Sequence, residues 1–325
     1  MDLSTTYLGL RLPHPLVVGS SPLGDEIDSV RELEDAGASM IVLRSLFEEE
    51  VVGEQMAAFF NLDGHGESFA EAGSFSPEPE AVLGPDEYLE HVRAVKAAVG
   101  IPVAASLCGM TPTGWISYAR LIQDAGADAL ELHLHHPASD MTTPAADVER
   151  GFVDLVRDVK RSLRIPVAVK LAPLFTAFAH FAKQIDDAGA DGFVLFTRFN
   201  RVDIDVEELE VIRTRQLSDP SELTMRLRGA AALSGRVRAS IALSGGVHSG
   251  LEVIKATMAG AHVTQLVSAL LRNGPGYLRI VRSEIEMWMQ EHEWESLTEM
   301  RGNMSLGRIP DPAAYERANF RMALS

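Results

Sequence analysis

A four-residue motif recurs along the chain and constrains its fold more than any other feature of the sequence. Asp-Ala-Gly-Ala begins at Asp35, Asp124 and Asp187, and a shortened copy occurs at Ala259-Gly260-Ala261. Each copy closes an amphipathic stretch and is followed by a short apolar block. A glycine just past a helix end, followed by a short apolar strand, is typical of the helix-to-strand connection in a parallel sheet. The repeat therefore predicts a chain of successive strand–helix units.

Two Ile-Pro-Val motifs, at Ile101 and Ile165, mark further strand starts between these copies. Helical patterns such as Pro85–Ala98, Ile116–Asp124 and Phe152–Ser162 separate the strands. The predicted strands are Leu16–Gly19, Met40–Leu43, Val103–Leu107, Ala129–His133, Val167–Leu171, Gly192–Phe196, Ser240–Leu243 and His262–Leu266.

Eight strand–helix units in 325 residues favour an α/β fold of the (β/α)₈ TIM-barrel type, with residues 1–325 forming a single domain. A doubly wound sheet is the less favoured alternative, because no Gly-x-Gly-x-x-Gly follows the first strand.

Three stretches exceed a minimal barrel. Phe47–Gly84 follows the second predicted strand and Asn200–Arg228 follows the sixth. Loops after strands lie on the active face of a barrel, so both are candidate lids or subunit contacts, and solvated insertion is the alternative for their distal parts. The C-terminal stretch Glu284–Arg301 is acidic, and we expect it to be a helix packed under the barrel.

The formal net charge of −17, from 29 Lys and Arg residues against 46 Asp and Glu residues, predicts a strongly acidic surface. Such a surface repels phosphate backbones and anionic membranes, which argues against a nucleic-acid-binding or membrane-surface protein.

The N-terminus lacks the pattern of a signal peptide, and no apolar run approaches the ~20 residues of a membrane span. The single cysteine, Cys108, excludes an internal disulfide and an iron–sulfur site built from this chain alone. We therefore expect a cytoplasmic protein.

In a TIM barrel, chemistry takes place at the carboxyl ends of the strands. After the seventh predicted strand, Ser244-Gly245-Gly246 places small residues where the chain turns into a helix, and Ser268 follows the eighth strand. Backbone N–H groups of such a turn can approach a phosphate closely, and phosphate sites after strands seven and eight recur in this fold. The two turns together predict a phosphate site.

Lys170 lies among apolar residues of the fifth predicted strand. An unpaired ammonium in a barrel interior is costly, so we expect an anionic or polar partner. One interpretation is a cation beside an electron-accepting ring, and a second is a Schiff-base nucleophile. A lysine paired with a neighbouring carboxylate is the alternative that we favour less.

Three of the ten histidines, His133, His135 and His136, lie at the end of the fourth predicted strand. Histidine serves as a general base near neutral pH, as a metal ligand or as a polar core residue. A metal site needs further ligands from other strands, and Cys108, His248 and His262 do not form a convincing set. We favour contact with substrate or cofactor and predict no metal site, with a structural role as the alternative for His135.

The strand-end motifs resemble those of the dihydroorotate dehydrogenase family of flavin mononucleotide (FMN) enzymes. The resemblance extends over nearly the whole chain, from Tyr7-Leu8-Gly9-Leu10 to Leu271-Arg272-Asn273-Gly274-Pro275. Its best motifs are Val169-Lys170-Leu171-Ala172-Pro173, Ser244-Gly245-Gly246-Val247 and Gln265-Leu266-Val267-Ser268-Ala269-Leu270.

This resemblance implies an FMN site at the carboxyl ends of the strands. In the family the lysine contacts the flavin, and the glycine-rich turns hold the flavin phosphate. The residues that it implies for FMN are Ser20, Ser21, Arg44, Ser45, Ser106, His133, Lys170, Ser244, Gly245, Gly246 and Ser268.

The chain departs from the family pattern mainly at the fourth strand. The family sequence there is Glu-Leu-Asn-Leu-Ser-Cys-Pro, followed by Asn or His. Here the sequence from Glu131 to Ala138 is Glu-Leu-His-Leu-His-His-Pro-Ala. His136 thus stands at the position of the family's catalytic Cys or Ser, His133 replaces a contacting Asn, and Thr197 stands where a substrate-binding Asn is usual. These changes are typical of a divergent, dihydroorotate dehydrogenase-like branch.

The resemblance implies oxidation of a CH–CH bond beside a carbonyl, in dihydroorotate or a related substrate. This reaction needs a base for one proton and flavin N5 to accept a hydride. His136 is the expected base, and Lys170 is expected to stabilise the reduced ring. The expected substrate contacts are Arg44, His133 and Thr197.

A soluble electron acceptor or a redox partner protein is expected, because the chain encodes no second redox centre, and the family implies a homodimer. Two alternatives stay open. One is a flavin-free barrel enzyme, either an aldolase using Lys170 or a His-metal hydrolase, and the other is a non-catalytic flavin-binding protein.

Overall fold

The computed structural model describes residues 1–47, 84–109, 112–136, 140–197, 202–207, 210–213 and 216–323. Eight parallel strands close into a barrel in the order β11-β12-β3-β4-β5-β6-β7-β8, so the predicted TIM barrel is confirmed. These strands are β3 (Leu16–Val18), β4 (Ile41–Phe47), β5 (Val103–Gly109), β6 (Ala129–Leu134), β7 (Val167–Leu171), β8 (Gly192–Leu195), β11 (Ser240–Ser244) and β12 (Val263–Leu266).

Each barrel strand coincides with a predicted one, and the largest difference is at β4, which continues four residues beyond the predicted end, to Phe47. The described helices are α1 (Ile27–Asp35), α2 (Pro85–Ala98), α3 (Pro112–Asp124), α4 (Ala145–Ser162), α5 (Phe178–Asp187), α6 (Leu223–Leu233), α7 (Gly250–Ala259), α8 (Ser268–Asn273), α9 (Tyr277–Glu291), α10 (Leu297–Met300) and α11 (Pro312–Ala323). None of them combines the length and the apolar composition that crossing a bilayer requires.

The structure corrects the sequence analysis outside the barrel. The stretch Glu284–Arg301 is not one helix, because α9 ends at Glu291 and α10 begins at Leu297. Helix α9 packs beside α7 on the flank of the barrel rather than under it. Most of the stretch Phe47–Gly84 lies outside the described residues.

The second insertion, Asn200–Arg228, contains an antiparallel hairpin of β9 (Val202–Asp205) and β10 (Glu210–Arg213). It also contains the start of α6, which begins at Leu223. The distal end of the predicted insertion is therefore a regular helix of the barrel.

Apolar side chains form one core between the strands and the surrounding helices and a second core inside the barrel. An N-terminal hairpin, β1 (Thr5–Tyr7) with β2 (Leu10–Leu12), was not predicted and closes the amino-terminal end of the barrel. Its Leu8 N–H donates to Ser240 Oγ, and Tyr7 lies fully buried in the inner core. The lower half of the barrel interior is therefore apolar and plugged from below.

Two histidines, one buried and one partly buried, accept backbone hydrogen bonds from barrel strands at this amino-terminal end. His14 Nδ1 accepts from Leu16 N–H, and His262 Nδ1 accepts from Ile241 N–H at 3.0 Å. Burial, together with a nearby arginine in each case, lowers the pKa of both imidazoles to about 4. Both rings are therefore neutral in the folded protein at neutral pH.

These pKa values predict a fold that weakens in acid. Between about pH 6.5 and pH 4 the unfolded chain binds protons at His14 and His262 that the folded chain does not. The free energy of unfolding should therefore be fully retained above pH 6.5 and fall as the pH decreases, by at most about 1.4 kcal/mol per pH unit for each histidine. Urea titrations from pH 7 to pH 5 measure the slope.

A variant pair assigns this slope to a residue. In His262→Asn an amide oxygen can still accept from Ile241 N–H but does not titrate, so the slope should be shallower. His180→Asn, at an exposed position, should leave the slope unchanged. An unchanged slope in both variants would contradict the assignment.

Candidate active site

The polar part of the barrel interior begins with an ion pair between neighbouring strands. Lys170 Nζ on β7 lies 3.0 Å from Glu131 Oε1 on β6. The second oxygen of Glu131 accepts from Gln265 Nε2 on β12 at 2.8 Å. Because β6 and β12 lie on opposite sides of the closed barrel, this hydrogen bond crosses the interior. We call these three side chains the floor network.

The floor network gives Lys170 the partner that its position required. The pairing with a carboxylate is the alternative that the sequence analysis favoured less, and the structure shows it. The Glu131 side chain is 2% exposed and that of Lys170 is 12% exposed. The Lys170 side chain thus keeps a small exposed area, whereas the carboxylate of Glu131 is enclosed.

Two buried polar atoms near the mouth have no hydrogen-bond partner among the described residues. They are Gln265 Oε1 and Ser21 Oγ. An unpartnered buried polar atom costs about 1–3 kcal/mol, so native structures rarely retain one without a reason. A ligand with a donor group above the floor network and a polar atom beside Ser21 would remove this cost.

Serine hydroxyls line the mouth over the first three barrel strands. Ser45 Oγ lies 2.7 Å from Ser106 Oγ and 3.5 Å from Ser20 Oγ. The Tyr88 hydroxyl of α2 fixes this edge, because it accepts from Ser106 N–H and donates to the Arg44 carbonyl at 2.8 Å. The structure therefore brings three of the predicted contact residues into one polar row.

Arg44 lies beside this row, but its charge is already partnered. Its Nη2 atom is 2.5 Å from Asp25 Oδ2, and both side chains are about one-third exposed. Burial raises the pKa of Asp25, and the adjacent guanidinium opposes that rise. An anionic group would thus have to share Arg44 with Asp25, a partner that the sequence analysis did not identify.

His133 and Thr197, both predicted to contact substrate, contact each other. His133 Nε2 and Thr197 Oγ1 are 2.7 Å apart. Burial, the Lys170 charge and His135 lower the pKa of His133 to about 3. His133 is therefore a neutral hydrogen-bonding group and not the proton-transferring base.

His136 follows β6 at the mouth and is partly buried. Asp140 is close enough for the two charges to interact, and this interaction contributes to lowering the pKa of Asp140 to about 2. The larger contributions come from hydrogen bonds donated by Thr143 and Thr142. The His136 ring thus lies near an ionised carboxylate at the mouth.

The predicted phosphate turns meet at the opposite side of the mouth. Gly245 and Gly246 have φ of +91° and +76°, and a Cβ at Gly246 would lie 2.6 Å from the Leu223 backbone nitrogen. Ser268 Oγ lies 2.9 Å from Ser218 Oγ, and Gly246 N–H donates to that Ser218 hydroxyl at 3.3 Å. Only glycine fits this close approach of backbone donors and hydroxyls.

A buried cation lies next to these turns. The Arg226 guanidinium would be 2.7 Å from a Cβ at Gly245, and it donates to the carbonyls of Ser244 and Glu222. Sequence reasoning found the glycines but missed Ser218 and Arg226. Both come from Asn200–Arg228, a stretch interpreted from the sequence as an insertion, so only their contacts in the folded chain identify them.

Glu131 and Gln265 were also missed as functional residues, although a signal for Glu131 was present. Glu131 precedes His133 by two positions and Lys170 lies on the next strand, so an alternating polar face was readable.

Among the described residues, no group of three or more His, Cys, Asp and Glu side chains is arranged to hold a metal ion.

Comparison with known proteins shows a similarity over most of the chain. The family model described as dihydroorotate dehydrogenase matches residues 2–289. The catalytic subunit of dihydroorotate dehydrogenase B (NAD(+)) from Thermoplasma acidophilum is 26% identical over 305 residues, which cover 93% of this chain and 98% of that protein. The protein of the same name from Methanocaldococcus jannaschii is 24% identical, over 91% of this chain and 95% of its own length. A subunit of NAD-dependent dihydropyrimidine dehydrogenase from Escherichia coli is 28% identical, over 59% of this chain and 47% of its own length.

The floor network predicts a stability difference between two carboxylate substitutions. Glu131→Gln removes the buried partner of Lys170 and should lower the free energy of unfolding by about 3 kcal/mol. Asp154→Asn removes the partner of Arg157 in an exposed pair and should cost less than about 1 kcal/mol. Denaturant titrations at pH 7 compare the two variants, and equal losses would contradict the role given to Glu131.

Proposed function

The chain belongs to the dihydroorotate dehydrogenase family, and we propose that it is an FMN-dependent oxidoreductase acting on a CH–CH bond beside a carbonyl, with dihydroorotate or a related compound as substrate. The observation that carries the proposal is the joint placement of the floor network and the glycine turns at one barrel mouth. They put a cation below the mouth and, at its rim, a glycine turn beside the Ser218 and Ser268 hydroxyls, where the phosphate of a ring cofactor would bind.

The residues of the mouth fit FMN. Gly245, Gly246 and Ser268 would hold the phosphate, with Ser244 beside them and Arg226, which is paired with Glu222, next to this turn. Lys170 would lie against the flavin ring on the side of the floor network. The unpartnered Gln265 Oε1 would accept a hydrogen bond from a donor group of the ring. The hydroxyls of Ser20, Ser21, Ser45 and Ser106 would line its remaining edge.

Bound FMN supplies a two-electron acceptor that takes a hydride from carbon. The protein must then take the proton from the adjacent carbon, and His136 is the base that we assign to this step. Asp140 would stabilise the resulting imidazolium through its charge. His133 stays neutral and would donate or accept hydrogen bonds together with Thr197.

The substrate side of the proposal rests on Arg44, His133 and Thr197. Arg44 would bind an anionic group of the substrate while keeping Asp25 as a second partner. The family's asparagine amides are replaced here by an imidazole and a hydroxyl. A substrate related to dihydroorotate, with fewer amide hydrogen bonds to satisfy, is therefore part of the proposal.

The floor network disfavours the aldolase alternative. A Schiff base requires a free amine, whereas the Lys170 ammonium is held 3.0 Å from a buried carboxylate.

For the electron acceptor we propose a soluble compound or a partner protein. Two of the compared relatives carry NAD(+) in their names, which supports a nicotinamide-linked route.

Anaerobic reduction tests the proposed activity. FMN-loaded protein mixed with dihydroorotate should lose its flavin absorbance in a stopped-flow experiment, because the substrate delivers two electrons to the ring. If neither dihydroorotate nor other dihydropyrimidines bleach a bound flavin, the proposed activity is wrong and the non-catalytic flavin-binding alternative stands.

The same half-reaction tests the base. His136→Ala should slow flavin reduction by about 10²–10⁴-fold, the usual contribution of a positioned general base. His180→Ala, an exposed helical histidine, is the matched control and should reduce at the wild-type rate. A His136→Ala variant with an unchanged rate would remove His136 from the mechanism.

A further inference from the structure

A second cavity lies at the amino-terminal end of the barrel, opposite the mouth. Its volume is about 580 Å³. One wall is the connection from α6 to β11, and His262, which precedes β12, adds to it. The other wall is the segment 301–312, which lies beyond residue 289, where the family match ends. The cavity therefore depends on a part of this chain that the family pattern does not include.

The cavity is strongly basic in a chain that is strongly acidic. Four arginines contribute to its lining, Arg236, Arg238, Arg301 and Arg308, and the lining residues include no Asp or Glu. Arg238 forms ion pairs with Asp186 and Asp187, which lie outside the lining. Across the described parts of the chain, no ion pair involves any of the other three arginines.

Arg301 is the most enclosed of the four. Its Nη2 atom donates to Thr5 Oγ1 at 2.8 Å, which ties the segment to the N-terminal hairpin. Its Nε–H is buried and has no acceptor among the described residues. Burial without a counter-ion also lowers the pKa of this guanidinium. A bound anion would supply both the acceptor and the missing charge.

His262 adds a further donor to the same cavity. Its Nδ1 accepts from Ile241 N–H, so the neutral ring carries its proton on Nε2. Apolar side chains, among them Val237, Ile241 and Ile309, form the rest of the lining. Guanidinium groups beside an apolar surface suit a ligand with an anionic end and an apolar body.

We infer that this cavity binds the phosphate group of a small organic phosphate of nucleotide size. Guanidinium groups bind phosphate oxygens in pairs, and three unpaired arginines exceed what a single carboxylate would neutralise. A cavity of this volume lies within the range of small-molecule sites. The site is separate from the barrel mouth and does not depend on the proposed activity.

Isothermal titration calorimetry with adenosine monophosphate, orthophosphate and adenosine tests the site. The protein is first loaded with one FMN per chain and freed of unbound FMN by gel filtration, so that the mouth is occupied and no free FMN competes for the second cavity. At 0.15 M NaCl, adenosine monophosphate should bind saturably with one site per chain, at least tenfold more tightly than orthophosphate, and adenosine should not bind. Equal affinity for the nucleotide and orthophosphate would overturn the organic-phosphate assignment, and the absence of saturable nucleotide binding would overturn the site.

Variants locate the binding. Arg236→Gln combined with Arg308→Gln changes two exposed arginines of the cavity and should weaken nucleotide binding at least tenfold without disturbing the fold. Arg31→Gln combined with Arg282→Gln removes the same charge from exposed pairs elsewhere and should have no effect. Equal weakening in both double variants, or none in the first, would contradict the proposal.

Discussion

The ion pair between Glu131 and Lys170 is the constraint on which the rest of the barrel interior depends. Two charges lie where a TIM barrel normally packs apolar side chains, and each needs the other to be tolerated there. Gln265 reaches across the barrel to satisfy the second carboxylate oxygen. The interior is thereby divided into an apolar lower half and a polar upper half.

This division explains how the two ends of the barrel differ. Below the floor network, the N-terminal hairpin seals the interior with Leu8, Leu12 and the ring of Tyr7. Above it, hydroxyls, imidazoles and unpartnered buried atoms face the mouth, where the glycine turn at Gly245 and Gly246 completes the rim. The chain is acidic overall, and both ends of the barrel nevertheless hold basic groups, Lys170 at the mouth and the arginines of the second cavity at the opposite end.

The barrel itself could be read from the sequence because its signals are local. Each strand is a short apolar block next to a glycine or an Ile-Pro-Val motif, and all eight blocks became barrel strands. The N-terminal hairpin could not be read in the same way. Its strands have three residues each, and their burial results from closing the barrel above them.

The candidate site was predictable to the extent that its residues stand at strand ends. The glycine turns were identified for this reason, Lys170 because it lies among apolar residues of a strand, and the serines of the polar row through the family resemblance. Their partners were not, because Gln265 meets Glu131 only across the closed barrel, and Asp25 meets Arg44 through a loop. Residues that act through long-range contacts leave no periodic signal in the sequence.

The most direct test of the account is the flavin content of the protein. FMN released by heat denaturation from the purified, FMN-reconstituted chain can be counted by absorbance against protein concentration. The account predicts one FMN per chain and a marked loss of FMN in Gly246→Val, whose side chain would collide with the Leu223 backbone. A protein that takes up no FMN, or a Gly246→Val variant that binds it as well as the wild type, would contradict the site described here.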